Sequence, residues 1–164
     1  MTPVVARYIC SHRDRLEGSA KELPDGCKDR FRPYFEEADL NRARIVIADP
    51  LPIAVPPFVT VARKLGLRFP KVRLVSGITF DTVIALREFP ESHILFHELV
   101  HVTQYRLLGL QQFARSYVRG FLCTRSYDEI PLERCACDLE ARFMVCHEAF
   151  NVEEQVRRWI DGPL

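Results

Sequence analysis

The chain has 164 residues, 48% of them apolar and 27% charged, which fits one globular domain with its own core and excludes a disordered chain. The formal net charge is +1, and basic and acidic residues are interspersed without a basic block, so charge gives no reason to expect a nucleic-acid partner. No apolar run approaches the roughly 20 residues that a membrane span requires, so no membrane role is expected.

Residues 1–17 mix Val4, Val5 and Ala6 with Arg7, His12, Arg13, Asp14 and Arg15, unlike the long uncharged centre of a signal peptide. The expectation is a cytoplasmic protein, with a specialised secretion route as the alternative. Thr2-Pro3 offers a cap and a first-turn proline for a helix to about Leu16. Pro24-Asp25-Gly26 marks a turn within 18–26, and 29–37 reads as a short helix or irregular cover. The β-branched run 43–48 predicts a strand closed by Asp49-Pro50. Pro56-Pro57 opens a short amphipathic helix through Lys64, ending at Gly66.

Residues 72–86 read as one or two strands, with Gly77 and Asp81 marking a bend or hairpin tip and 82–86 the strongest strand. Ser92 is the expected cap of the next helix, which runs to about Leu108 and stops at Gly109. A second helix over 111–121 carries Phe113, Tyr117 and Phe121 at spacing four, a core pattern. After a polar loop over 123–129, Pro131 opens a helix whose apolar or small positions are Leu132, Ala136, Leu139, Phe143 and Val145. A last short helix over 152–160 packs outside. The predicted class is α+β: a small, mostly antiparallel sheet of three or four strands early in the chain, then a helical half. The chain is expected to be a single domain over 1–164, with a helical extension over 1–40 and the core over 41–150.

The six cysteines, Cys10, Cys27, Cys123, Cys135, Cys137 and Cys146, form no C-x-x-C pair, and in a chain of this size without a signal peptide they are expected to be reduced. Cys135 and Cys137 are two apart, so on a helix they point to nearly opposite sides and do not share one ion.

The segment that carries chemistry is His97-Glu98-Leu99-Val100-His101, which reads H-E-x-x-H. On a helix the two histidines rise about 6 Å apart on one face and reach a single metal ion. Glu98 follows His97 directly and falls near the open position of such an ion, where a carboxylate can take a proton from water. The flanks are apolar: Ile94, Leu95 and Phe96 before, Val102 after, and Glu98 is the only acid between Ile94 and Gln104. A lone acid in such a helix needs a partner. The bland alternative is a buried helix whose histidines bond to backbone or to Glu98.

Catalytic zinc takes three protein ligands and leaves a fourth place open. The position where extended metzincins carry a third histidine is Leu107 here, which excludes that class. A glutamate from a later helix is the other solution, with Glu133, Asp138, Glu140 and His147 as candidates. Glu133 is the choice: it lies in the first turn after Pro131, and Ala136 one turn on lets its helix approach the motif helix closely. Glu140 is the runner-up, two turns later on the same face, or a partner to a ligand histidine. Asp138 falls off that face. His93 shares a face with His97 and His101, but that strip spans about 12 Å, too long for one tetrahedral ion, so His93 is a partly exposed first-turn histidine.

H-E-x-x-H followed by a glutamate in an E-x-x-A helix resembles the gluzincin clan of zinc peptidases. The stretch 95–104, preceded by Gly77-Ile78-Thr79-Phe80 and Val83-Ile84-Ala85-Leu86, is similar to minimal gluzincin domains, among them a small zincin-like domain of bacterial contractile injection particles. The resemblance covers about 43–143. It implies a zincin-like fold and Zn2+ as cofactor, and it places 83–86 on the edge strand that pairs with an extended substrate. One departure is Cys137, where many gluzincins have aspartate.

The expected function is a zinc-dependent metallopeptidase acting on a peptide or protein substrate. His97, His101 and Glu133 hold zinc, Glu98 is the general base, and Tyr127 stabilises the oxyanion, with Tyr117 and His147 competing for that role. The alternative is a metal-stabilised, non-catalytic binding or assembly module, with a partner protein.

Overall fold

A computed structural model describes residues 2–51, 76–146 and 148–162. The helix expected over 56–66, the start of the strand segment at 72–75, and His147 lie outside the described residues. The remaining chain runs α1 (Thr2–Glu17), β1 (Lys21–Glu22), α2 (Asp25–Phe31), α3 (Glu37–Arg42), β2 (Arg44–Ile47), β3 (Gly77–Phe80), β4 (Val83–Leu86), α4 (Ser92–Thr124), α5 (Pro131–Val145) and α6 (Val152–Asp161). The class is α+β, with one four-stranded sheet among the described residues. No helix among the described residues is long and apolar enough to cross a membrane.

The sheet has the order β1-β2-β4-β3, with β2 parallel to β4 and the other two pairings antiparallel. Val83, Ile84, Ala85 and Leu86 are all buried, as a strand covered on both faces must be. β4 pairs with β2 on one side and β3 on the other and is central, which corrects the expectation that 83–86 forms the edge strand. Among the described residues, the edge beside the site is β3. β1 falls where the sequence indicates a turn, because a two-residue strand of exposed charged residues carries no alternation to read.

The hairpin tip is Asp81-Thr82, where Asp81 takes a left-handed φ of 59°. Its carboxylate accepts from Arg13 Nη1 at 2.9 Å and Arg42 Nη2 at 3.5 Å, which fastens the tip to α1 and α3.

α4 carries the motif. It begins at Ser92, but its cap residue is Glu91 and no side chain caps it, so Ser92 is the first helical residue rather than the cap. At Gly109 the backbone turns to φ 70° and ψ 157°, which divides α4 into two arms at the predicted stop. The cap of α6 is Asn151, whose side-chain oxygen accepts from the Glu154 amide at 2.9 Å.

Two apolar clusters flank the motif. One packs Phe31, Phe35, Ile84 and Leu139 around Phe96, whose ring stacks on Phe143 at 4.4 Å and meets Phe35 edge-on at 5.0 Å. The other joins Val5 and Ile9 of α1 to Phe80, Tyr105 and Phe113, with Tyr105 and Phe113 stacked at 3.6 Å. Burying large rings on both sides fixes the rotation of the first arm of α4, and so the direction of its histidines. The cysteines Cys10, Cys27, Cys123, Cys135, Cys137 and Cys146 are free.

Candidate metal centre

Helical spacing brings His97 and His101 together, with their Nε2 atoms 3.2 Å apart. Pro131 starts α5 at its first position, and Ala136 is fully buried. α5 lies close against α4, and Glu133 is delivered to the two imidazoles. Glu133 Oε2 lies 3.6 Å from His97 Nε2 and 3.5 Å from His101 Nε2. The three atoms thus form a nearly equilateral triangle. A tetrahedral ion with bonds near 2.0–2.1 Å requires ligand atoms ~3.3–3.4 Å apart, so the donors are already spaced for such an ion. His97, His101 and Glu133 could together hold a metal ion.

The far nitrogens are engaged as well. His97 Nδ1 donates to Glu140 Oε2 at 2.9 Å, and His101 Nδ1 donates to Gln104 Oε1 at 2.9 Å. Gln104 is fixed in turn, its Nε2 donating to the Leu132 carbonyl at 2.9 Å. With both Nδ1 positions carrying the hydrogen, each Nε2 presents a lone pair to the triangle. Glu140 therefore orients His97 instead of joining the three donors, and Cys137 lies beside it in a second group with His97 and Glu140. Asp138 is exposed and belongs to neither group. His93 is partly exposed, with Nε2 3.9 Å from Glu140 Oε1.

Glu98 is 6% exposed, and its Oε2 accepts from Thr79 Oγ1 at 2.6 Å. The same hydroxyl lies 3.2 Å from the Glu98 carbonyl. β3 thus holds the acid of the motif helix. Gly77 makes the approach feasible: a Cβ there would meet Leu86 Cδ2 at 2.8 Å and Glu98 Oε1 at 2.9 Å.

Tyr117 donates to Glu133 Oε1 at 2.9 Å, so the aromatic spacing on the second arm of α4 serves the site as well as the core. Tyr127 lines the same cavity, and the rings of Tyr117 and Tyr127 sit edge-on at 6.2 Å. Burial, reinforced by the Glu133 charge, pushes both phenols well above their ordinary pKa, so both keep their protons. Burial opposes ionisation of Glu133, but His101 and His97 hold its carboxyl well below the usual range. Burial also opposes charge on the histidines. Cys137, Glu133 and Glu140 nevertheless raise His97, and Glu133 raises His101. The Glu133 carboxylate thus favours positive charge beside the two imidazoles.

The cavity beside the triangle has a volume of about 140 Å3. Its walls are β3, the two arms of α4, Tyr127, Glu133, and Val5, Tyr8 and Ile9 of α1. The sequence indicated His97, Glu98, His101, Glu133 and Tyr127, and all five meet here. It did not single out Thr79 and Gln104 as partners of the site, nor Tyr8. Gln104 sits three residues from His101 on the same helix face, the one available signal. Thr79 and Tyr8 arrive from distant elements and leave no local trace.

No family model matches the chain, and no curated protein or solved structure matches it.

Proposed function

We propose that this protein is a zinc-dependent metallopeptidase with a zincin-like fold of the gluzincin type. The reading is carried by the triangle of His97 Nε2, His101 Nε2 and Glu133 Oε2, with edges of 3.2–3.6 Å, beside a buried Glu98. Two nitrogens and one carboxylate oxygen suit a borderline-soft divalent ion such as zinc.

Bound zinc supplies Lewis-acid polarisation of a carbonyl and lowers the pKa of water towards 7. Glu98, held by Thr79, takes the proton of the attacking water and delivers it to the leaving amine. Gln104 and Glu140 keep the imidazoles in the ligating tautomer, and Tyr117 keeps Glu133 turned towards them. Tyr127, protonated and in the cavity, donates to the developing oxyanion.

A second reading, a metal-stabilised binding or assembly module, is favoured by α1 lying against the β3 side of the cavity. Glu98 separates the two readings. Glu98→Gln retains zinc and abolishes cleavage of a peptide library by the peptidase. Equal silence of both proteins with zinc bound supports the module.

A further inference from the structure

Four tyrosines line the cavity: Tyr8, Tyr105, Tyr117 and Tyr127. Two are committed within the fold. Tyr117 donates to Glu133 Oε1 and the Tyr105 hydroxyl is directed at the Thr79 carbonyl, 3.5 Å away, while Tyr127 is the donor already proposed for the oxyanion. Tyr8 differs. Its hydroxyl is buried and has no hydrogen-bond partner among the described residues. Leaving a buried hydroxyl unpaired is costly, so its place in the cavity of the candidate metal ligands calls for a bonded counterpart.

The ring is held firmly. His12, one turn further along α1, packs its ring tilted against it with centroids 4.1 Å apart, and its Nδ1 donates to the Tyr8 carbonyl at 2.9 Å. Phe80 of β3 stands edge-on at 6.1 Å and also stacks on His12 at 5.0 Å. Arg13 ties the same stretch of α1 to Asp81 at the hairpin tip. A ring clamped between α1 and β3 presents its hydroxyl in one place, as a preorganised contact requires. Burial raises the Tyr8 pKa to about 12, so the group remains a hydrogen-bond donor.

We infer that Tyr8 is a ligand-contacting residue of this site, a donor beside Tyr127 to the oxygen of a compact acyl group bound at the metal. The inference rests on the metallopeptidase reading and deepens it, because it brings α1 into the substrate site. The ligand class follows from size: a cavity near 150 Å3 holds a benzene-sized group, so about 140 Å3 admits one residue's acyl portion. Val5 and Ile9, on the same helix, make that wall apolar.

The probe is acetohydroxamate, a small acyl compound that ligates zinc. Its affinity is measured by calorimetry on zinc-loaded wild-type protein and Tyr8→Phe, with zinc content and melting temperature recorded for both. The variant is expected to keep about one zinc per chain and melt at the same temperature or higher, since an unpaired buried hydroxyl has been removed. It is expected to bind acetohydroxamate about two- to tenfold more weakly, the loss of one hydrogen bond. Equal affinity of the two proteins, or no binding by zinc-loaded wild type, overturns the role of Tyr8 and leaves the metal centre standing. Wild-type protein that takes up no zinc overturns the metallopeptidase reading and this inference with it.

Discussion

Gly77→Ala tests the coupling between the sheet edge and the general base. The added Cβ would lie 2.9 Å from Glu98 Oε1, 3.2 Å from Glu98 Cδ and 2.8 Å from Leu86 Cδ2. Ordinary contact begins near 3.4 Å, so the Glu98 carboxylate must retreat by about half an ångström. It cannot do so freely, because Oε2 is bonded to Thr79 at 2.6 Å and the side chain is buried. Leu86 is equally confined at 0% exposure in the central strand. A 1 Å misplacement of a catalytic group costs about a hundredfold in rate, so half that distance predicts a fall in kcat of about tenfold. The crowding costs about 1–3 kcal/mol of stability, and each kilocalorie lowers the melting temperature by about 2–4 °C in a chain of this size. His97, His101 and Glu133 are not touched, so zinc content stays at about one per chain. The assay is peptide-library turnover alongside elemental analysis and a thermal melt. Wild-type turnover with zinc bound would show that Glu98 is not the group that moves the proton. Loss of zinc would show that the strain reaches the ligands, contrary to the geometry.

Two further substitutions probe the support around the site. Gln104→Leu removes the acceptor that fixes His101 Nδ1, so zinc affinity by chelator competition falls about 10–100-fold, with turnover recovered at high zinc. Asp39→Ala acts elsewhere on α4: Asp39 is fully buried and accepts from Thr103 at 2.8 Å and from Arg106 at 2.6 and 3.0 Å, while Arg106 also pairs with Glu153. Breaking that network costs about 3 kcal/mol in a denaturant melt, and the folded fraction keeps its zinc.

Much of the site is legible in the sequence because its chemistry is helical. His97, Glu98 and His101 lie on one turn of α4, and Glu133 follows a proline that fixes where α5 begins. Gly109 was equally legible as a helix stop, since its left-handed φ suits few other residues. What the sequence hides is set by the third dimension. A run of four buried residues in β4 looks the same whether the strand is central or at an edge, and only its pairing with β2 and β3 decides. Ser92 matches the preference for a helix cap, yet the helix begins one residue earlier than a cap there requires. Thr79 and Tyr8 reach the site across the sheet and from α1, contacts that no spacing along the chain records. Cys137 stands where the resembled family often has aspartate, and Glu140, one turn further, supplies the carboxylate bonded to His97.

The most direct test of the metal centre is the zinc content of the purified protein, by elemental analysis after loosely bound metal has been dialysed away. The account predicts about one zinc per chain, lost on chelation and restored by adding zinc alone. Near-zero zinc that added metal does not restore would contradict it, leaving His97, His101 and Glu133 as a buried cluster of hydrogen-bonded charges.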